Sequence, residues 1–137
     1  MKWYLKVVRD NYANFQGRAR RKEYWMFTLF NAIFMMIVTT FSVIIGLTLN
    51  SPLPFAIYII YALGIIIPSL AVTVRRLHDI GKSGWYYFVG LIPFIGGIWL
   101  LILLVTEGET DPNNYGSDPK VPTMDEINDF GRFQIQN

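Results

Sequence analysis

The densest polar cluster in the chain is RRLHDIGKSGW, from Arg75 to Trp85, where the single histidine of the sequence, His78, stands beside Asp79 among Arg75, Arg76 and Lys82. An adjacent imidazole and carboxylate could serve metal-dependent phosphate hydrolysis, or could form a triad with Ser83. The first needs further imidazole or carboxylate ligands, and there is no second histidine. The second packs three catalytic groups into six residues, a crowding that suits a hydrogen-bonded turn better than a catalytic geometry. One enzymatic reading stays open, with His78 as a base oriented by Asp79 and acting on a lipid-linked substrate. A structural reading explains most of the same residues. Arg75 and Asp79 are four apart, as an ion pair on a helix requires. Gly81 suits the left-handed position that ends a helix, and Ser83 can cap the next one.

A second cluster, FQGRARRKEYW, runs from Phe15 to Trp25. Gly17 can turn the chain, after which Arg18, Arg21 and Trp25 share one helical face and Arg21 can stack on Trp25. Glu23 is the only acid there. It is read first as a local partner of Arg20, and second as a buried counter-ion for an arginine of the RRLHD segment. A third polar segment, DPNNYGSD, places Asp111 and Asn113 at the first and third positions of a calcium loop, but it has Tyr115 at the fifth and Pro122 at the twelfth, where Glu is needed. No phosphate-cradling glycine loop and no nucleophile elbow is present. Without cysteine there is no thiolate chemistry, and no metal or cofactor is implied.

These clusters must be positioned by unusually apolar elements. From Tyr24 to Val74 there are 51 consecutive residues without a charged side chain or a histidine. A helical span takes roughly 20 apolar residues, so this run is long enough for two passes. Asn50, Ser51, Pro52 and Pro54 mark the break. The sequence predicts spans over 24–49, 55–74 and, for the third apolar run, 86–106. The fold class is therefore an all-α polytopic bundle: one membrane domain over 1–120, followed by a poorly ordered tail over 121–137. The first run is too long for the core of a cleaved signal. Gly90, Pro93, Gly96 and Gly97 are the weak point of the third run, where the helix could break and re-enter.

Lys and Arg number 7 before the first span and 3 between the second and third, while the tail after Thr106 has 2 of them against 7 acids. The bias towards cytoplasmic Lys and Arg predicts a cytoplasmic N-terminus and, with three full spans, a tail on the outside. A re-entrant third run would instead bring the DPNNYGSD loop over RRLHDIGKSGW. In the first fifteen residues Tyr4, Leu5, Val8, Tyr12 and Phe15 face one way and Lys2, Lys6 and Arg9 the next. This pattern fits an amphipathic helix at the interface, or a segment packed under the bundle. Asn31, inside the first span, should face another helix or a watery cleft.

The chain also resembles the bacterial family filed as domain of unknown function 805, the YhaH-type inner-membrane proteins, over about residues 1–120. FQGRARRKEYW, RRLHDIGKSGWYYF with IPFIGGIWLL, and EGETDPNNYGSDPK carry the resemblance. It implies a polytopic protein of a bacterial inner membrane and supplies no activity, substrate or cofactor. The expected role is noncatalytic: binding of anionic lipid headgroups or a partner protein through a cytoplasmic surface of Arg18, Arg21, Glu23, Trp25, Arg75, Arg76, His78, Asp79 and Trp85. A homo-oligomer fits three exposed helices, and lipid phosphate accounts for the basic segments without nucleic acid. The alternative is a small oligomeric transporter with Asn31 and the segment around Pro93 lining a polar path.

Overall fold

The computed structural model describes residues 2–121, so the expected disordered tail lies, apart from Val121, outside the described residues. Helix α1 (Lys2–Leu5) runs into a π-helical turn (Lys6–Asp10) and is followed by α2 (Arg21–Leu49), α3 (Phe55–Asp79), a 3-10 helix (Gly84–Leu91) and α4 (Gly96–Val105). No strand occurs among the described residues. The two long helices are antiparallel neighbours joined by a short turn, in which Asn50 takes the left-handed conformation (φ 47°) that closes α2.

Helices α2 and α3 have the length and hydropathy of membrane spans, and little of their apolar windows is buried. Leu29, Met36, Phe41 and Leu47 on α2, like Ile57, Ile60 and Leu63 on α3, point away from the protein. That arrangement is costly in water and neutral in hydrocarbon. The small buried core lies instead at the charged end, where Val7, Ala19, Phe27, Ile65 and Val72 meet, with Tyr4, Val8 and Tyr24 packed around them. The N-terminal segment is helical only to Asp10, shorter than the amphipathic pattern, and it lies against α2, where the Tyr4 ring stacks on Phe27 with centroids 5.6 Å apart.

The third apolar run is not one helix. The 3-10 helix reaches Leu91, the chain reverses through Ile92 to Ile95, and α4 returns. Pro93 has no N–H to continue a helical ladder. Phe94, fully exposed, adopts φ 68°, a left-handed conformation rare for a bulky residue. The two arms close tightly because Gly96 has no Cβ to strike the Val89 carbonyl. Ten helical residues measure about 15 Å, half of a hydrocarbon core. The hairpin therefore brings the chain back to its starting end, and residues 109–116 lie beside Arg18, His78 and Asp79. The expectation of one continuous helix over 86–106 is corrected by this break.

Asn31 is satisfied across the helix pair, its side-chain oxygen accepting from the Tyr61 hydroxyl at 2.9 Å, while the Tyr4 hydroxyl lies 3.4 Å from that of Tyr61. Interhelical bonds of this kind contribute about 0.6 kcal/mol on average and up to about 1.7 kcal/mol within membranes. Tyr61→Phe and Asn31→Leu should each lower the unfolding midpoint in detergent. A double-mutant cycle should give a coupling of about 0.6 kcal/mol, and a coupling of zero would mean that the bond does not join α2 to α3.

Candidate functional site: a buried charge cluster joining three segments

The final carbonyls of a helix have no intrahelical donor, and two helices end together here. At the end of α3, the His78 carbonyl accepts from the Gly81 N–H and from the Asn113 side chain, both at 3.0 Å, and the Asp79 carbonyl accepts from the Glu109 N–H at 2.8 Å. At the end of α4, the Leu104 carbonyl accepts from Arg76 Nε at 3.1 Å and the Val105 carbonyl from Arg21 at 3.2 Å, while Arg76 also donates to the Thr106 carbonyl. Cations near these termini are also favoured by the helix dipole.

Asp79 organises the centre. Arg18 Nε donates to one carboxylate oxygen at 3.0 Å, and Arg76 donates to the other. Arg18 continues to the backbone carbonyls of Glu109, Asp111 and Gly116, at 2.9 Å for Asp111 and 3.2 Å for Gly116. One guanidinium thus ties the turn before α2, the end of α3 and the loop after α4. The loop can come this close because Gly108 has no Cβ to collide with the Asp79 carboxylate. Gly81 takes φ 68°, as a helix-ending glycine should, and the Ser83 hydroxyl accepts from the Trp85 N–H. Gly17, at φ 78°, turns the chain ahead of Arg18.

A second buried pair lies alongside. Glu23, only 1% exposed, accepts from Arg75 at 2.8 Å and meets Lys6 at 3.3 Å. Glu23 is thus the counter-ion of Arg75 and not a partner of Arg20, whose guanidinium stacks over Trp3 instead, 4.2 Å from the ring centroid. The expected Arg75–Asp79 pair is replaced by Arg76–Asp79. Arg21 does not stack on Trp25 but reaches Val105 and, at 3.1 Å, Glu107. Glu107 is exposed, and the hydrogen bond from Lys120, then the charge of Arg21, hold its carboxyl below the usual carboxylate range.

The residues expected to form a binding surface therefore divide. Arg18, Glu23, Arg75, Arg76, His78 and Asp79 are buried; Arg21 and Trp25 are exposed at the end of α4, and Trp85 is 77% exposed on the hairpin. His78 is covered. Its Nδ1 lies 3.1 Å from the Gly17 carbonyl, which can only accept, so the network assigns the proton to Nδ1. Tyr115 stacks on the ring at 3.8 Å and 4°. The calcium-loop candidates are engaged as well, since the Asp111 carbonyl faces Arg18 and Asn113 bonds Glu109 as well as His78. No group of His, Asp and Glu suited to a metal forms among the described residues. Sequence reasoning missed Lys6, Glu109 and the Leu104 and Thr106 carbonyls as members of the cluster. The turn-rich EGETDPNNYG was the one signal that its loop is compact.

Two long apolar helices, an apolar hairpin and a single charged end define a helical membrane protein. The family described as Protein of unknown function (DUF805) matches residues 12–117, and the chain belongs to it. The inner membrane protein YhaI of Escherichia coli (strain K12) is 48% identical over 120 residues, which cover 88% of this chain and 97% of the relative. The inner membrane protein YhaH of the same organism is 40% identical over 121 residues, covering 88% and 98%. No solved structure matches.

Asp79→Asn would leave Arg18 and Arg76 buried without a countercharge, a loss that costs about 3–5 kcal/mol when a buried pair is broken. The unfolding midpoint in detergent should fall sharply and the 107–119 loop should become protease-sensitive. Glu107→Gln, at an exposed pair, should change neither. Equal behaviour of the two variants would contradict the central place of Asp79.

Proposed function

We propose that this protein is a noncatalytic module of the bacterial inner membrane that presents one charged face to the cytoplasm and binds anionic lipid headgroups there. The observation that carries this reading is that charge is confined to one end. The turn between α2 and α3 and the apolar hairpin contain no charged residue, and residues 2–121 hold eleven Lys and Arg against seven Asp and Glu, all in the segments that meet at the other end. An excess of Lys and Arg favours retention in the cytoplasm. The α4 hairpin then dips into the membrane and returns, and the N-terminus and residues 107–121 share the cytoplasmic side.

Within this face the cations have two destinies. Arg18, Arg75 and Arg76 are used internally, which removes them from the expected binding surface. Lys2, Arg9, Lys22 and Lys82 remain exposed to the headgroup layer. The enclosure of His78 by Gly17 and Tyr115 argues for a structural imidazole over a catalytic base. The bond between Asn31 and Tyr61 likewise engages a polar side chain that the transport reading assigned to its path.

In nanodiscs, replacing part of a zwitterionic lipid with anionic phospholipid should raise the unfolding midpoint, with a gain in stability of up to about 1 kcal/mol for each basic residue that reaches the surface. Added salt should erase the gain. A midpoint indifferent to lipid charge and to salt would overturn the reading.

A further inference from the structure

The N-terminal turns and the start of α2 enclose a cavity of about 430 Å³, within the size range of small-molecule sites. Lys2, Lys6, Arg9 and Arg20 line it, with Asp10 as the one acid. Asp10 is occupied by Arg9 at 2.7 Å, and Lys6 is shared with Glu23. Lys2 and Arg20 have no carboxylate partner among the described residues, and the solvent-shielded Nε of Arg20 has no hydrogen-bond partner there. Two cations without a carboxylate, in a cavity lined by four basic residues and one acid already paired, call for an anion. Trp3, which also lines the cavity, holds the Arg20 guanidinium against its ring. Stacking of this kind fixes the guanidinium plane and leaves its edge free for the paired oxygens of a phosphate.

We propose that this cavity is a phosphate site that takes the headgroup of an anionic glycerophospholipid, with Lys2, Arg9 and Arg20 contacting the phosphate oxygens and Trp3 holding Arg20 in place. Resting on the headgroup-binding reading above, the proposal narrows it from a charged face to one site. Leu5, partly exposed on the same lining, distinguishes the lipid from free phosphate, because it offers an apolar contact where the glycerol and acyl chains begin. Trp3 suits the same depth, since indole rings favour the membrane interface. The buried line from Lys6 through Glu23 to Arg75 joins this cavity to the rest of the charged end, so the site is built on the folded core.

The test uses the full chain in phosphatidylcholine nanodiscs, titrated with short-chain phosphatidylglycerol and read by thermal stabilisation. Wild type should show a saturable response, and Arg20→Gln should weaken it about tenfold or more, the loss expected when a charge-assisted hydrogen bond is removed. Lys2→Gln, at an exposed side chain, should weaken it in the same direction, whereas the Lys22→Gln, Lys82→Gln double variant, on the same face but outside the cavity, should keep the wild-type saturation midpoint and lose only part of the non-saturating gain that the open face contributes. Inorganic phosphate should neither stabilise nor compete at comparable concentration; if it does both, the site belongs to a free phosphate and the lipid assignment falls. A response equal in all variants would overturn the cavity and leave the charged face standing. No response in wild type would overturn both.

Discussion

A buried carboxylate held between two buried guanidinium groups sets the terms for the rest of the structure. Asp79 could not stay ionised at 2% exposure without Arg18 and Arg76, and neither arginine could be buried without Asp79 and the helix-terminal carbonyls. The three residues come from two segments, the turn before α2 and the end of α3, and Arg76 extends to the end of α4. Satisfying them therefore fixes where the loop after α4 must go. The short α4 hairpin is a consequence of the same demand, because a third apolar run that continued as one straight helix would take the Glu109, Asp111 and Gly116 carbonyls away from Arg18.

This division of labour explains why the middle of the molecule is plain. Over most of their length α2 and α3 offer lipid an unbroken apolar surface, with one polar link at Asn31 and Tyr61. Specific packing is concentrated at the charged end, where Val7, Ala19 and Val72 are fully buried beneath the ion pairs. Within a bilayer the apolar effect cannot by itself bring helices together. The polar end supplies the contacts that fix how these helices meet.

The spans were legible because a long charge-free run has no other physical explanation, and the turn at Asn50 to Pro54 because its residues break helices. The helix stop at Gly81 and the cap at Ser83 were legible for the same local reasons. Ion-pair partners were not. Asp79 sits about 40° around the helix from Arg75 and about 60° from Arg76 in the other sense, so helical spacing alone permits either pair. The choice is made by Glu23, which draws Arg75 away, and by Arg18, which approaches from 61 residues earlier in the chain. The hairpin was legible only as an alternative, since glycines and a proline in an apolar run allow a break without requiring one. What requires it is the set of carbonyls the returning loop delivers, and backbone carbonyls carry no sequence signature.

The most direct measurement is a pair of distances in the membrane. The chain has no cysteine of its own, so spin labels can be placed at exposed positions Asn14, Ser117 and Asn50, two at a time, in protein reconstituted in lipid. If the charge cluster closes the end of the bundle, labels at 14 and 117 will be close together, while labels at 50 and 117 will be separated by about the thickness of the hydrocarbon core, roughly 30 Å or more. A long distance between 14 and 117 with a short one between 50 and 117 would put the loop at the opposite end, and the account built on Asp79 would be wrong.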